Sequence, residues 1–370
     1  MHPDEEGFLY PVLDNDKCID CSICYNTCPY DNPPLFFMPL EGYALQYNDR
    51  DRLIQSSSGA AFPALAEHIL KQGGYIVGCV FNEDIEAVHV VTNNETVVRQ
   101  MSGSKYVQSN TVDTYRMTKE LLLSGHLVLF SGTPCQIAGL LKYLKNPYEN
   151  LITVDLICHG VPSPSLLQTY LSTTYKGSVL DVKFRDKKTN GWCSQGCVQY
   201  RAVNGKIKKN KTSPYTDSYY YYYLQNSISR YCCYECQFST ATRVSDITIG
   251  DYWNVRDVMP EFDPTHGVSA VLINSDKGRN LLNSISSSII LKESNIKDIV
   301  KGNGNLQKPC DMPPQRNYIY ENIEKYGYAE VARQECKYQY VIPFVKKWMP
   351  SFIKKGIKKI ITYIRKNNEN

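Results

Sequence analysis

Cys18, Cys21, Cys24 and Cys28 stand two, two and three residues apart, and Pro29 closes the run. Thiolates at intervals of three residues wrap one cubane of iron and sulfide from a single turn of loop. A structural zinc site more often pairs two cysteines of one knuckle with two from a distant segment. The spacing therefore predicts iron-sulfur chemistry, a 4Fe-4S cluster on Cys18, Cys21 and Cys24. Where two such runs share a fold, the cysteine before proline ligates the other run's cluster. This sequence has one run. Cys28 is thus expected to close a single cluster or to join one that a partner chain completes.

A second set of cysteines is dispersed. Cys135 in SGTPCQ and Cys158 in DLICHG each follow an apolar stretch, and Cys233 and Cys236 form a CxxC pair. Four thiolates brought together would bind another cluster; as buried thiols they would serve as small core hydrophobes instead. Sequence cannot show whether they converge. His159, next to Cys158, is a candidate catalytic residue, a proton donor to substrate or a hydrogen-bond donor to cluster sulfur. A structural histidine is the plainer reading.

These residues need elements to place them. GAAFPALAEHILKQGG carries helical periodicity and stops at Gly73-Gly74, while YIVGCVF and AVHVVT are short β-branched runs. VDTYRMTKELLLSGH predicts a helix feeding the strand LVLFSG, followed by the helix PCQIAGLLKYLKN and the strand NLITVDLICHG. The alternation predicts an α/β fold, a mixed α+β domain around a largely parallel sheet. In such sheets the residues just past the strand carboxyl ends line the ligand crevice, where Cys135 and Cys158 would sit. Residues 175–212 read as antiparallel strands with a turn at AVNGKIKK, and the five tyrosines at 219–223 as packing.

The chain divides into a cysteine-rich module over 1–34, a main domain over 50–300 and a basic tail over 341–370. With 370 residues it has ample length for a core. Its 14 cysteines are clustered and too sparse for a disulfide scaffold. The acidic start and the lack of an apolar leader place the protein in the cytoplasm. Residues 341–370 hold eight Lys and Arg against one Glu, so the net charge of +4 belongs to the tail. The rest is mildly acidic, which argues against a nucleic-acid partner. Between its lysine pairs the tail carries Trp348, Phe352, Ile353, Ile357 and Ile360. That pattern predicts an amphipathic helix, resting on the inner face of a membrane or docked on the body.

The stretches SSSGAAFPALAEHIL, GSKYVQS, LFSGTPCQIAGL, VDLICHGVPSP, CYECQF and SDITIGDYW resemble, in order, the beta-subunit family of coenzyme F420 hydrogenases and dehydrogenases. The resemblance spans about residues 52–300. It implies a 4Fe-4S cluster on Cys135, Cys158, Cys233 and Cys236 beside FAD, with Cys232 surplus to the pattern. It implies flavin contacts at Ser57, Ser58 and Gly59 and at Lys105 and Tyr106. A small-residue turn opening a helix offers backbone N–H groups to phosphate, although on its own it reads as an N-cap. Lys105 is expected to pair with pyrophosphate or to sit near the flavin ring. Bacterial relatives carry a ferredoxin ahead of this domain, and MHPDEEGFLYPVLDNDKC resembles the spacer between its two cysteine runs, so a first run is expected upstream of Met1. Cys79, Cys193, Cys197, Cys310 and Cys336 match nothing in the pattern.

The expected function is an oxidoreductase that passes electrons between clusters and FAD and on to an unidentified small-molecule or glycan-related substrate or an F420-like carrier. Its partner would be a ferredoxin or another oxidoreductase subunit. The alternatives are a non-catalytic relay subunit, with a link to surface polysaccharide synthesis, and a zinc-stabilised binding protein.

Overall fold

The computed structural model describes residues 1–336, so the tail expected over 341–370 lies outside the described residues. In chain order the strands are β1 (His2–Pro3), β2 (Leu9–Tyr10), β3 (Glu41–Tyr47), β4 (Tyr75–Phe81), β5 (Ala87–Thr92), β6 (Val128–Gly132), β7 (Leu151–Leu156), β8 (Gly177–Lys183), β9 (Gly196–Ala202), β10 (Ile207–Thr212), β11 (Ile247–Asp251), β12 (Ser269–Ile273) and β13 (Ile289–Ser294). Eight of them form one sheet in the order β13-β3-β12-β11-β7-β6-β4-β5.

That sheet is mixed where a largely parallel one was expected. Strands β4, β6, β7 and β11 run parallel, whereas β5, β12, β3 and β13 pair antiparallel. The parallel block is built where a helix returns the chain, as Pro134–Leu144 does between β6 and β7. The antiparallel flank includes β3, from the chain's first 50 residues, inserted between β12 and β13.

Both faces are covered, which explains the continuous apolar runs. Val128 and Phe130 pack with Ile137, Ala138 and Leu140 of the Pro134–Leu144 helix. Leu129, between them, faces the other way and packs with Leu65 and Ile69 of the Ala61–Lys71 helix. A separate tyrosine-rich core joins the helices at Pro164–Thr174, Ser218–Leu224 and Gln315–Tyr326. Tyr219, Tyr220, Tyr222 and Tyr223 are buried there, and Asp217 caps their helix by accepting from the Tyr220 N–H at 2.8 Å. Strands β8, β9 and β10 form the expected antiparallel sheet.

The N-terminal residues form the small β1–β2 pair and a loop with one short helix, Ile23–Thr27. They are tied to distant chain. Arg316, fully buried, makes a two-pronged ion pair with Glu6, and Phe8 packs on Tyr320 at 5.9 Å.

Candidate functional site

Because β6, β7 and β11 run parallel, the residues that follow them emerge along one edge of the sheet. Thr133 to Cys135 follow β6, Cys158 and His159 follow β7, and Trp253 lies just past β11, which ends at Asp251. The segment with Cys232, Cys233 and Cys236 closes over the same edge.

The electrostatics of the thiols show that they face one another. Burial pushes the Cys135 thiol up to about 11, and negative charge at Cys236 and Cys232 adds to the rise against a lowering hydrogen bond from Thr133. Burial pushes Cys158 up to about 12, with Cys135 and Cys236 contributing. Cys233 is raised by its hydrogen bond with Cys232, by burial and by Cys158. Cys310, read from sequence as incidental, is raised by burial and by Cys236, and its Sγ lies 4.0 Å from the His159 carbonyl.

Cys158 and Cys233, raised in this way, keep their protons at neutral pH, and a cationic centre that binds them would draw those protons off. Among the described residues no group of three or more His, Cys, Asp or Glu side chains is arranged to hold a metal ion. A cubane takes one thiolate at each iron corner, so its ligands stand apart instead of meeting at one atom. Cys135, Cys158, Cys233 and Cys236 match that need in number and donor type. Gly160 lets the segments close: at φ +97° a Cβ there would lie 3.3 Å from the Cys233 Cβ and 2.9 Å from the Ser229 Oγ.

Arg243 sets the position of the CxxC loop. Its guanidinium is buried, pairs with the fully buried Asp155 of β7 at 3.0 Å, and donates to the carbonyls of Phe238 and Thr240 at 3.0 Å each. The same side chain thus grips the end of the CxxC loop and the strand that carries Cys158. Nothing in the sequence marked this residue, since an arginine in a stretch rich in Ser and Thr reads as surface.

The chain just past the N-terminal cysteines is bonded to this loop. Cys18, Cys21 and Cys24 are exposed and Cys28 is half-buried. Gln237, next to Cys236, donates through Nε2 to the carbonyls of Pro29 at 3.0 Å and Tyr30 at 2.9 Å. Phe36 stacks on Phe238 at 5.7 Å, and Phe37 exchanges backbone hydrogen bonds with Arg243. Each Gln237 bond is worth about 0.5–1.5 kcal/mol. Gln237→Ala should therefore lower hydrogen-exchange protection around residues 26–37 by roughly tenfold, while Thr248 and its neighbours in β11 stay protected.

The residues expected to contact flavin bond and pack within the chain. Ser57 Oγ accepts from the Ser104 N–H at 2.8 Å, and Ser58 Oγ donates to the Val268 carbonyl at 2.8 Å. Gly59 leaves no room for a side chain, since a Cβ would fall 2.0 Å from the Leu45 carbonyl. The Lys105 ammonium turns back on its own loop and donates to the carbonyls of Gln100, Met101 and Gly103 at 2.8–3.2 Å. Burial lowers it to about 8. Tyr106 stacks on Tyr223 at 4.2 Å.

A different cation stands at the SSSG turn. Lys187 Nζ donates to the carbonyls of Ser58 at 2.6 Å and His266 at 2.5 Å. Burial lowers it from 10.5 to about 7, opposed by Asp251. Beside it Arg185 pairs with Asp251 at 3.1 Å, Trp192 Nε1 donates to Asp251 at 2.7 Å, and Trp192 stacks on Trp253 at 5.1 Å. Burial also lowers His159, with Asp251 opposing and Arg185 adding to the fall. Unfolded Lys187 keeps its proton to 10.5 and folded Lys187 releases it near 7, so the unfolded chain binds more protons between those values. Stability should rise with pH across that window, and Lys187→Met should flatten the rise, as read from urea midpoints at about pH 7 and about pH 9.

A mixed α/β sheet that gathers thiols from two strand ends and a CxxC loop defines the class. Residues 125–299 match the family model for the carboxyl-terminal part of the coenzyme F420 hydrogenase/dehydrogenase beta subunit. This segment is beta-subunit-like. All four clustered cysteines fall inside the match, whereas the N-terminal run, the SSSG turn and Lys105 fall outside it. A solved structure of the F420-reducing NiFe hydrogenase complex from Methanosarcina barkeri is similar at 15% identity over 84% of this chain and 92% of that one, with a TM-score of 0.46. Among curated proteins none matches the chain.

Proposed function

We propose that the chain is an iron-sulfur flavoprotein subunit of an oxidoreductase, and that electrons travel between its two thiol sites. What supports this reading is the placing of Cys135 and Cys158 just past β6 and β7, with Cys233 beside Gly160 and the Cys158 thiol raised by burial and by Cys135 and Cys236. These four residues would hold one 4Fe-4S cluster, and Cys18, Cys21 and Cys24, with Cys28 or a partner's thiolate, would hold another. Gln237 keeps the two thiol sites side by side.

FAD would lie along the SSSG turn at Ser57, Ser58 and Gly59, with Lys105 and Tyr106 at its border, and would supply the exchange between one-electron and two-electron chemistry. At that border Lys187 fixes the Ser58 carbonyl and Arg185 orients Asp251. His159, neutral near pH 7, is available to hand a proton to or take one from a substrate in the crevice. The partner would be a ferredoxin or another oxidoreductase subunit, in the cytoplasm. No helix among the described residues is long and apolar enough to cross a membrane.

A second reading, a relay subunit without flavin, is favoured by Lys105, whose ammonium is occupied by its own loop carbonyls. The absorption spectrum of anaerobically purified protein, with iron, sulfide and flavin assays, decides. Cluster absorption with stoichiometric flavin is expected; cluster absorption alone selects the relay, and a colourless zinc-loaded protein refutes both.

A further inference from the structure

Thr133 stands between β6 and the Pro134–Leu144 helix, where it is the N-cap. Its hydroxyl lies 3.1 Å from Cys135 Sγ. The Gln136 side chain reaches back over the same turn, and its Oε1 accepts from the Thr133 N–H at 3.0 Å, as in one half of a capping box. Pro134 at the first helical position, with φ fixed by its ring, leaves this turn little freedom.

A capping box needs only the glutamine oxygen, and here the nitrogen is engaged as well. Gln136 Nε2 donates to Ser109 Oγ at 2.9 Å, and Tyr115 Oη donates to the Gln136 carbonyl at 2.8 Å. Ser109 closes the segment GSKYVQS, which also carries Lys105 and Tyr106. Gly132 makes room for the arrangement, since a Cβ there would lie 3.1 Å from Gln136 Oε1 and 3.3 Å from Gln136 Cβ. A neighbouring segment thus fixes Gln136, Gln136 fixes the Thr133 backbone, and the Thr133 hydroxyl is left beside sulfur.

What that contact does depends on the state of the sulfur. A protonated thiol is a weak partner for a hydroxyl. A thiolate ligand accepts a charge-assisted bond, stronger than a neutral one. Reduction puts more negative charge on the ligand sulfurs, so the bond tightens and favours the reduced form. Hydrogen bonds to sulfur are one of the means by which proteins set cluster potentials.

We propose that Thr133 is a positioning residue that raises the reduction potential of the crevice cluster through Cys135, and that Gln136, braced by Ser109, holds it in place. This assignment rests on the cluster reading above and deepens it by naming what sets the potential of that site.

The test is potentiometric titration of the anaerobically purified full-length protein, followed by electron paramagnetic resonance, with iron per chain measured alongside. The signal that Cys158→Ser removes belongs to the crevice cluster. At the wild-type midpoint of that signal, Thr133→Val should show a roughly tenfold smaller ratio of reduced to oxidised cluster, a downward shift of about 59 mV for one electron. Thr133→Ser keeps the hydroxyl and should retain the wild-type potential. Gln136→Leu frees the Thr133 N–H and should lower the potential too, and Thr133→Val/Gln136→Leu should fall no further than Thr133→Val alone, because both changes remove one interaction. Full iron with a wild-type potential in Thr133→Val, an equal fall in Thr133→Ser, or additive falls in the double variant overturn the assignment. If Thr133→Val loses its iron, Gln136→Leu decides: a lower potential supports the assignment and an unchanged one overturns it. Wild-type protein without iron refutes the cluster reading itself, and this assignment with it.

Discussion

Arg243→Ala should destabilise the fold by about 3–5 kcal/mol, the usual consequence of removing one partner from a buried ion pair, with equilibrium urea unfolding as the measurement. The reason lies in what remains. Asp155 has no exposed surface, and its only ion-pair partner among the described residues is Arg243. The carbonyls of Phe238 and Thr240 would also lose their donor. Burial already raises the Asp155 carboxyl above its ordinary value even with Arg243 present, so without the guanidinium the folded state would bind a proton that the unfolded chain releases near 3.8. The loss should therefore deepen as pH rises and ease on acidification. Arg243→Met/Asp155→Leu should be at least as stable as Arg243→Met, because it leaves no unpaired buried charge. A single variant as stable as the wild type would show that Arg243 does not anchor the CxxC loop.

Cys158→Ser should remove the crevice cluster and leave the N-terminal one, so that iron and acid-labile sulfide fall by roughly half. Cys158 carries this expectation because it interacts with both Cys135 and Cys236 across the crevice. Cys233→Ser should behave in the same way, whereas Cys232→Ser should keep the metal. Cys233 packs beside Gly160, whereas Cys232 is surplus to the four-cysteine pattern. Iron per chain, with electron paramagnetic resonance of the reduced protein, separates the outcomes. Full iron retention in Cys158→Ser would remove that residue from the ligand set.

The elements that carry the site were legible because their signals are local. LVLFSG and NLITVDL are short apolar strands bounded by glycine and turn residues, and PCQIAGLLKYL has a helical stripe with proline in its first turn, so β6, β7 and the helix between them follow from period and punctuation. The direction of the flanking strands was not legible, because strand pairing is a long-range choice that leaves the alternation pattern unchanged. β3 and β13 are separated by more than 200 residues in sequence, yet Ile289 pairs with Tyr47.

The thiol site was half legible. Spacing alone identifies a CxxC pair, but convergence of Cys135, Cys158 and Cys233 depends on parallel pairing and on Gly160. Buried charges left no mark in the sequence: Lys187 and Arg185, in an ordinary-looking FRDKK stretch, sit beside the SSSG turn. A charge's destination is decided by tertiary packing, and no periodicity records it.

The clasp between Glu6 and Arg316 spans 310 residues, and this separation bears on how the protein is made. The cysteine run is synthesised before the residues that hold its surroundings, since Gln237, Arg243 and Arg316 all follow it by more than 200 residues. Until then the run is a nascent loop with no docking surface. Iron inserted during synthesis would meet three exposed thiols on an untethered chain, so this site is made before the segments that dock it.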